Sequence, residues 1–135
     1  MLFYAKVSMS KKILLVDDEK EIVQLLDKKL SQEGFEVIKL SSGKEAVDKT
    51  KKYLPDLVLM DIMMPDIDGA EAVKLLQKDT LTRNIPVLFL SGILAPGSSS
   101  DTPQGITVGG IHYPALGKPF TAQQLLNKIS ELLIK

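Results

Sequence analysis

The stretch LVLMDIMMPDIDG, Leu57 to Gly69, decides the fold. Leu57 to Met60 is an unbroken apolar run of strand length, the pattern of a parallel strand covered on both faces. Asp61 closes the run, Pro65 marks a turn, and Asp68 to Lys78 supplies a helix. An acidic side chain is thereby set at the carboxyl end of a central strand.

Working outward, the same grammar repeats. Ile13 to Val16 and Val87 to Leu90 are further unbroken apolar runs, and Phe35 to Leu40 is strand-like but interrupted by Glu36 and Lys39, which suits a place nearer the sheet edge. Ile22, Leu25, Leu26 and Leu30 share one helical face, as do Leu125, Leu126, Ile129, Leu132 and Leu133, and Gly43 to Leu54 reads as another helix. Strand and helix alternate, which implies an α/β fold: a mainly parallel, doubly wound sheet with helices on both faces. In such sheets ligands sit outside the carboxyl ends of the strands.

Asp17 and Asp18 end the first strand, Asp61 the third and Ser91 the fourth, and Lys118 follows the last. Three carboxylates brought together repel one another unless a cation neutralises them, and hard oxygen ligands without His or Cys favour magnesium (Mg2+) over zinc. A carboxylate beside that ion is a nucleophile toward phosphorus, and an ammonium such as Lys118 stabilises charge on the transferred oxygens.

Each residue has a plainer explanation when taken singly. Asp18 and Glu21 have the spacing of a capping box, Asp61 suits a turn, Ser91 is an ordinary loop hydroxyl and Lys118 a solvated charge. The combination at four strand ends favours the phosphoryl-acceptor reading. His112, the only histidine, has no sequence partner and reads as a surface or packing residue. Met63 and Met64 read as loop packing, with the Met63 backbone carbonyl a plausible metal ligand.

Composition removes other classes. A chain of 135 residues, 44% hydrophobic, builds one core. Basic and acidic residues each number 17, so no net field draws nucleic acid or a membrane surface. The absence of cysteine argues against a disulfide framework and for an intracellular, cytoplasmic setting. The apolar run Leu2 to Val7 is too short for a signal-peptide core or a bilayer span. Met9 begins MSKKILLVDDE, so residues 1–10 read as an extension ahead of a domain over 11–135.

ILLVDDE, LVLMDIMMPDIDG and LGKPF, in this order, resemble the receiver domain of two-component response regulators. The resemblance implies a flavodoxin-like, five-stranded parallel sheet in the order 2-1-3-4-5. It implies Asp61 as phospho-acceptor, with Asp17, Asp18, Asp61 and the Met63 carbonyl on Mg2+, Ser91 as switch hydroxyl, and Lys118 paired with the phosphoryl group before a cis Lys118–Pro119 bond. The phosphoryl donor it implies is a sensor histidine kinase or a histidine phosphotransfer protein. By the same resemblance Met63 and Ile93 flank the water that hydrolyses the aspartyl phosphate, and neither side chain orients water by hydrogen bonding.

Two departures from the family stand out. Gly92 to Gly110, GILAPGSSSDTPQGITVGG, holds two prolines and five glycines where the family places its fourth helix, so a helix of two or more turns is not expected there. Ile106 to Val108 and Ile111 to Tyr113 instead flank Gly109-Gly110 as a short hairpin. Ala115 stands where the family commonly carries an inward-swinging Tyr or Phe. Tyr113, two residues earlier, falls on the same strand face, with Pro114 between them.

The leading reading is a signalling switch that catalyses its own phosphorylation and dephosphorylation and then engages an output partner, rather than a metabolic enzyme. A second keeps the fold but makes it a constitutive interaction module uncoupled from phosphorylation. A hydrolase of the haloacid-dehalogenase kind is disfavoured because a second aspartate two residues after the nucleophile is replaced by Met63. A flavodoxin-like cofactor binder is weaker still, because no phosphate-binding loop follows the first strand.

Overall fold

A computed structural model of the chain describes residues 11–92 and 106–134. In chain order the elements are β1 (Lys12–Val16), α1 (Lys20–Gln32), β2 (Glu36–Leu40), α2 (Gly43–Tyr53), β3 (Leu57–Asp61), α3 (Gly69–Gln77), β4 (Val87–Ser91), β5 (Ile106–Val108), β6 (Ile111–Tyr113), β7 (Ala115–Gly117) and α4 (Ala122–Ile134). The extension expected over residues 1–10 lies outside the described residues.

The five-stranded sheet runs β2-β1-β3-β4-β7, all pairs parallel, so β7 is the fifth strand of the expected order. Side chains alternate across it. Leu14, Val16, Val58, Met60, Val87 and Phe89 join one buried cluster with α2 and α3. Ile13, Leu15, Leu57, Leu59, Leu88 and Leu90 join the other with α1 and α4. That double covering explains the unbroken apolar runs.

One helical face differs from its sequence reading. Leu26 and Leu30 are buried and Ile22 and Val23 pack beside them, but Leu25 is 58% exposed. At 100° per residue Leu25 falls on the flank of the apolar arc, beyond reach of the sheet.

Between Gly92 and Gly110 the described residues are strand and turn, and residues 93–105, Ile93 among them, lie outside the description. The hairpin forms as expected, with Ile106 paired to Tyr113 and Val108 to Ile111. Gly109 and Gly110 both take positive φ, the conformation a two-residue hairpin turn requires. Val108 and Tyr113 are buried and Ile106 packs against the same cluster. Burial of three such side chains, at about 1.5–3 kcal/mol each, falls short of the cost of ordering the eight residues of the hairpin at about 1–2 kcal/mol each, so further anchors matter. Gln77 at the end of α3 is one: its Nε2 donates to the Val108 carbonyl at 2.9 Å and to the Tyr113 hydroxyl at 2.8 Å.

Tyr113 and Ala115 face the same core but belong to different strands, which corrects their expected place on one strand face. Pro114, which has no N–H, separates β6 from β7, and its carbonyl accepts from the Phe89 amide at 3.0 Å. The Tyr113 ring meets Phe89 edge-on at 5.7 Å.

Candidate functional site

The carboxyl ends of β1, β3, β4 and β7 bring Asp17, Asp18, Asp61, Ser91 and Lys118 to one edge. Asp17 follows β1, and its amide donates to the Leu40 carbonyl at 3.1 Å. Its Oδ1 accepts the Glu19 amide at 3.0 Å. That bond holds the turn into α1 and makes Glu19 the N-cap residue, with no side-chain cap bond. The capping-box reading of Asp18 is thus corrected: the helix begins one residue too late for it, and Asp18 stays exposed.

Asp61 ends β3 and is buried, as is Asp17. One carboxylate oxygen from each of Asp17, Asp18 and Asp61 lies within 4.8 Å of the others, a spacing that suits a shared hard cation. Burial and then the charge of Asp17 raise the Asp61 carboxyl to about 6, against the pull of Lys118 and of a hydrogen bond from the Met63 amide.

Lys118 supplies the cationic wall. Its Nζ donates to Asp17 Oδ2 at 2.7 Å and to Glu19 Oε1 at 3.2 Å, and lies 3.6 Å from Asp61 Oδ1. Burial works to lower its pKa, but the hydrogen bond and charge of Asp17, with the charge of Asp61, hold it above the ordinary lysine value. The Lys118 amide donates to the Ser91 carbonyl at 2.8 Å, and the Lys118–Pro119 bond is cis. Ser91 is buried at the end of β4, one residue beyond the partner of Asp61 in the ladder.

The sequence-predicted residues therefore converge, while His112 sits exposed on β6, paired with Thr107 and outside the acidic cluster. The Met63 side chain is 69% exposed, and its backbone is what faces the site. Two residues escaped sequence reasoning. Glu19 joins Lys118, and its adjacency to the acidic pair was the available signal. Asp66 accepts from the Gly43 and Lys44 amides across 22 and more residues of chain, a contact that no local pattern announces.

A cleft of about 250 Å³ opens beside Asp17, with Lys20, Gln24, Lys39 and Ser41 among its walls. Among the described residues, no helix is long and apolar enough to cross a membrane.

Comparison with known proteins identifies the family. The family model described as "Response regulator receiver domain" matches residues 13–130. The alkaline phosphatase synthesis transcriptional regulatory protein PhoP of Bacillus subtilis is 37% identical over 93% of this chain and 49% of its own length. The transcriptional regulatory protein CpxR of Escherichia coli is 38% identical over 90% and 49%. The chain thus spans about half the length of these relatives. Among solved structures, the chemotaxis response regulator CheY4 of Vibrio cholerae superposes with a TM-score of 0.78, at 30% identity over 93% of this chain and 100% of that one. The chain belongs to the receiver-domain family of two-component response regulators.

Proposed function

We propose that this domain accepts a phosphoryl group on Asp61 from the phosphohistidine of a sensor histidine kinase or a histidine phosphotransfer protein, in the cytoplasm, and that the modified domain binds an output partner differently. The observation that carries the reading is a buried Asp61 with its carboxyl raised to about 6, set between the Asp17–Asp18 pair and the Lys118 ammonium. A carboxylate of raised basicity that is still ionised at neutral pH is a better nucleophile than a solvated one.

Three convergent carboxylate oxygens without a nitrogen or sulfur donor fit Mg2+. Asp17, Asp18, Asp61 and the Met63 carbonyl would hold it. Bound there, Mg2+ neutralises the acidic cluster and polarises the phosphoryl oxygens. An Asp61 oxygen forms the new bond to phosphorus as the bond from phosphorus to the donor imidazole breaks. Lys118 and the Ser91 hydroxyl take the transferred oxygens, and the Met63 amide orients Asp61. The domain is a switch that catalyses its own phosphorylation and hydrolysis rather than a metabolic enzyme.

The test is intact-mass analysis after acetyl phosphate treatment with and without Mg2+. One phosphoryl group should be gained, only with the metal, and Asp61→Asn should gain none. Phosphorylation of that variant at the wild-type rate would overturn the assignment. The hairpin of residues 106–113, at the end of the segment where the family places its fourth helix, favours a second reading, a constitutive interaction module. Partner binding unaffected by beryllofluoride would support that reading over the switch.

A further inference from the structure

We propose that Asp66 is a positioning residue for the acceptor site: its carboxylate ties the loop after β3 to the first turn of α2 and so holds the Met63 backbone in register with Asp61. The inference rests on the receiver reading above and assigns a role to a residue outside the acidic cluster.

The loop of residues 62–68 leaves Asp61 and crosses the carboxyl edge of the sheet. At its start the Met63 amide donates to the Asp61 carboxylate. At its end Gly69 donates to the Ile62 carbonyl at 2.8 Å, and Asp68 caps its own helix through the Glu71 amide. Between these points Met64 and Ile67 pack toward the core, while the exposed Met63 side chain offers no such anchor. Asp66 fixes the loop in the other direction, along the sheet edge. Its Oδ1 accepts the Gly43 amide at 3.1 Å and its Oδ2 the Lys44 amide at 2.9 Å. These are amides of the first helical turn, which have no partner within the helix and sit at its positive end. The same bonds, that from Lys44 foremost, hold the Asp66 carboxyl below its ordinary value.

Two observations distinguish this tie from an ordinary cap. Ser42 already caps α2 from its own N-cap position, accepting the Glu45 amide at 3.2 Å, so helix initiation does not require Asp66. Gly43 is also bare where the loop lies: a Cβ there would stand 2.6 Å from both the carbonyl oxygen and the Cγ1 of Ile67. The loop and helix meet at backbone contact, and Asp66 is the polar link across it.

The experiment compares Asp66→Ala with Ser42→Ala, each of which removes a cap of α2, while only the first releases the loop. Both should lower the melting temperature. Asp66→Ala should also speed exchange of the Met63 amide in metal-free protein and weaken Mg2+ binding, read by calorimetry, about ten-fold, the scale on which residues that orient metal ligands act. Ser42→Ala should change neither quantity more than about two-fold, well below that scale. Equal effects from the two variants would overturn the proposal and leave a purely structural cap. So would weaker Mg2+ binding with unaltered Met63 exchange, the signature of lost charge alone, or altered exchange with unaltered Mg2+ binding. Should Asp66→Ala fail to fold, Asp66→Asn keeps the shape, and the same two shifts are expected at smaller size. A wild-type protein that takes up no Mg2+ would sink the metal-dependent receiver reading itself and this role with it. Faster Met63 exchange in the variant would then still report the tie, because it is read without metal.

Discussion

Lys118 Nζ lies 2.7 Å from Asp17 Oδ2 and 3.6 Å from Asp61 Oδ1, so the ammonium leans toward Asp17 and not toward Asp61. On the proposed function, the lysine and a divalent ion would neutralise overlapping charge. Lys118→Met keeps the stem but leaves two buried carboxylates without their cation, at a cost of about 3 kcal/mol in the absence of Mg2+. Adding Mg2+ should recover more stability in the variant than in the wild type. Urea unfolding with and without the ion measures both, and equal Mg2+ effects would count against this overlap.

Asp61 supplies a pH signature. Its folded pKa of about 6 lies above the unfolded 3.8, so the folded state binds the proton more tightly, and the ionised group opposes folding above pH 6. That penalty, about 3 kcal/mol, shrinks as pH falls through 6 and is gone below about 4. Asp61→Asn should therefore be more stable than the wild type at pH 8, with the gap closing toward pH 4. Thermal melts of the metal-free proteins across that range test it; a constant gap would mean that burial and Asp17 do not set the charge of Asp61.

The hairpin should depend on one side chain outside it. Gln77→Ala leaves the Val108 carbonyl and the Tyr113 hydroxyl short of a donor, at a cost of about 1–3 kcal/mol. Tyr113→Phe removes only one of those bonds and should cost less, about 0.5–1.5 kcal/mol. In hydrogen exchange, amides of residues 106–113 should lose protection in Gln77→Ala while those of β1 and β3 keep theirs. Uniform loss across the sheet would show that the hairpin is no separate unit.

These examples also mark what the sequence made legible. The three central strands and the acidic edge were readable because a parallel strand covered on both faces needs an apolar run, and the runs end on the polar residues Asp17, Asp61 and Ser91. Gly109-Gly110 announced the hairpin for the same local reason. The start of α1 was not legible, because the choice between Asp18 and Glu19 turns on the bond from the Glu19 amide to Asp17. Asp66 and Gln77 were invisible because their partners lie 22 to 36 residues away and depend on how helices pack on the sheet. Leu25 was lost to geometry, since an apolar arc wider than the sheet contact leaves its flank in solvent.

The glycine that follows the acceptor loop gives the sharpest steric test. A Cβ at Gly69 would collide with the Asp61 carbonyl oxygen, and would stand 2.9 Å from Met60 Cγ and 3.1 Å from Ile62 Cα. Two of these three atoms are backbone at the end of β3, so the strand end itself must shift. Gly69 is not among the residues of positive φ, so the position demands space and not conformational freedom. Ala improves a helical position by about 1 kcal/mol over Gly, but overpacking against backbone costs about 1–3 kcal/mol and should win here. Gly69→Ala is therefore expected to lower stability and, by displacing Asp61, to slow phosphorylation by acetyl phosphate at saturating Mg2+. Gly110→Ala is the control: its φ of +82° makes the substitution strained, yet nothing lies within 4 Å of the added Cβ, and the hairpin forms a two-stranded sheet separate from the one that carries Asp61. On the proposed function it should lower stability without slowing phosphorylation. Equal slowing by the two variants would show that general destabilisation, and not the position of the acceptor, governs the rate.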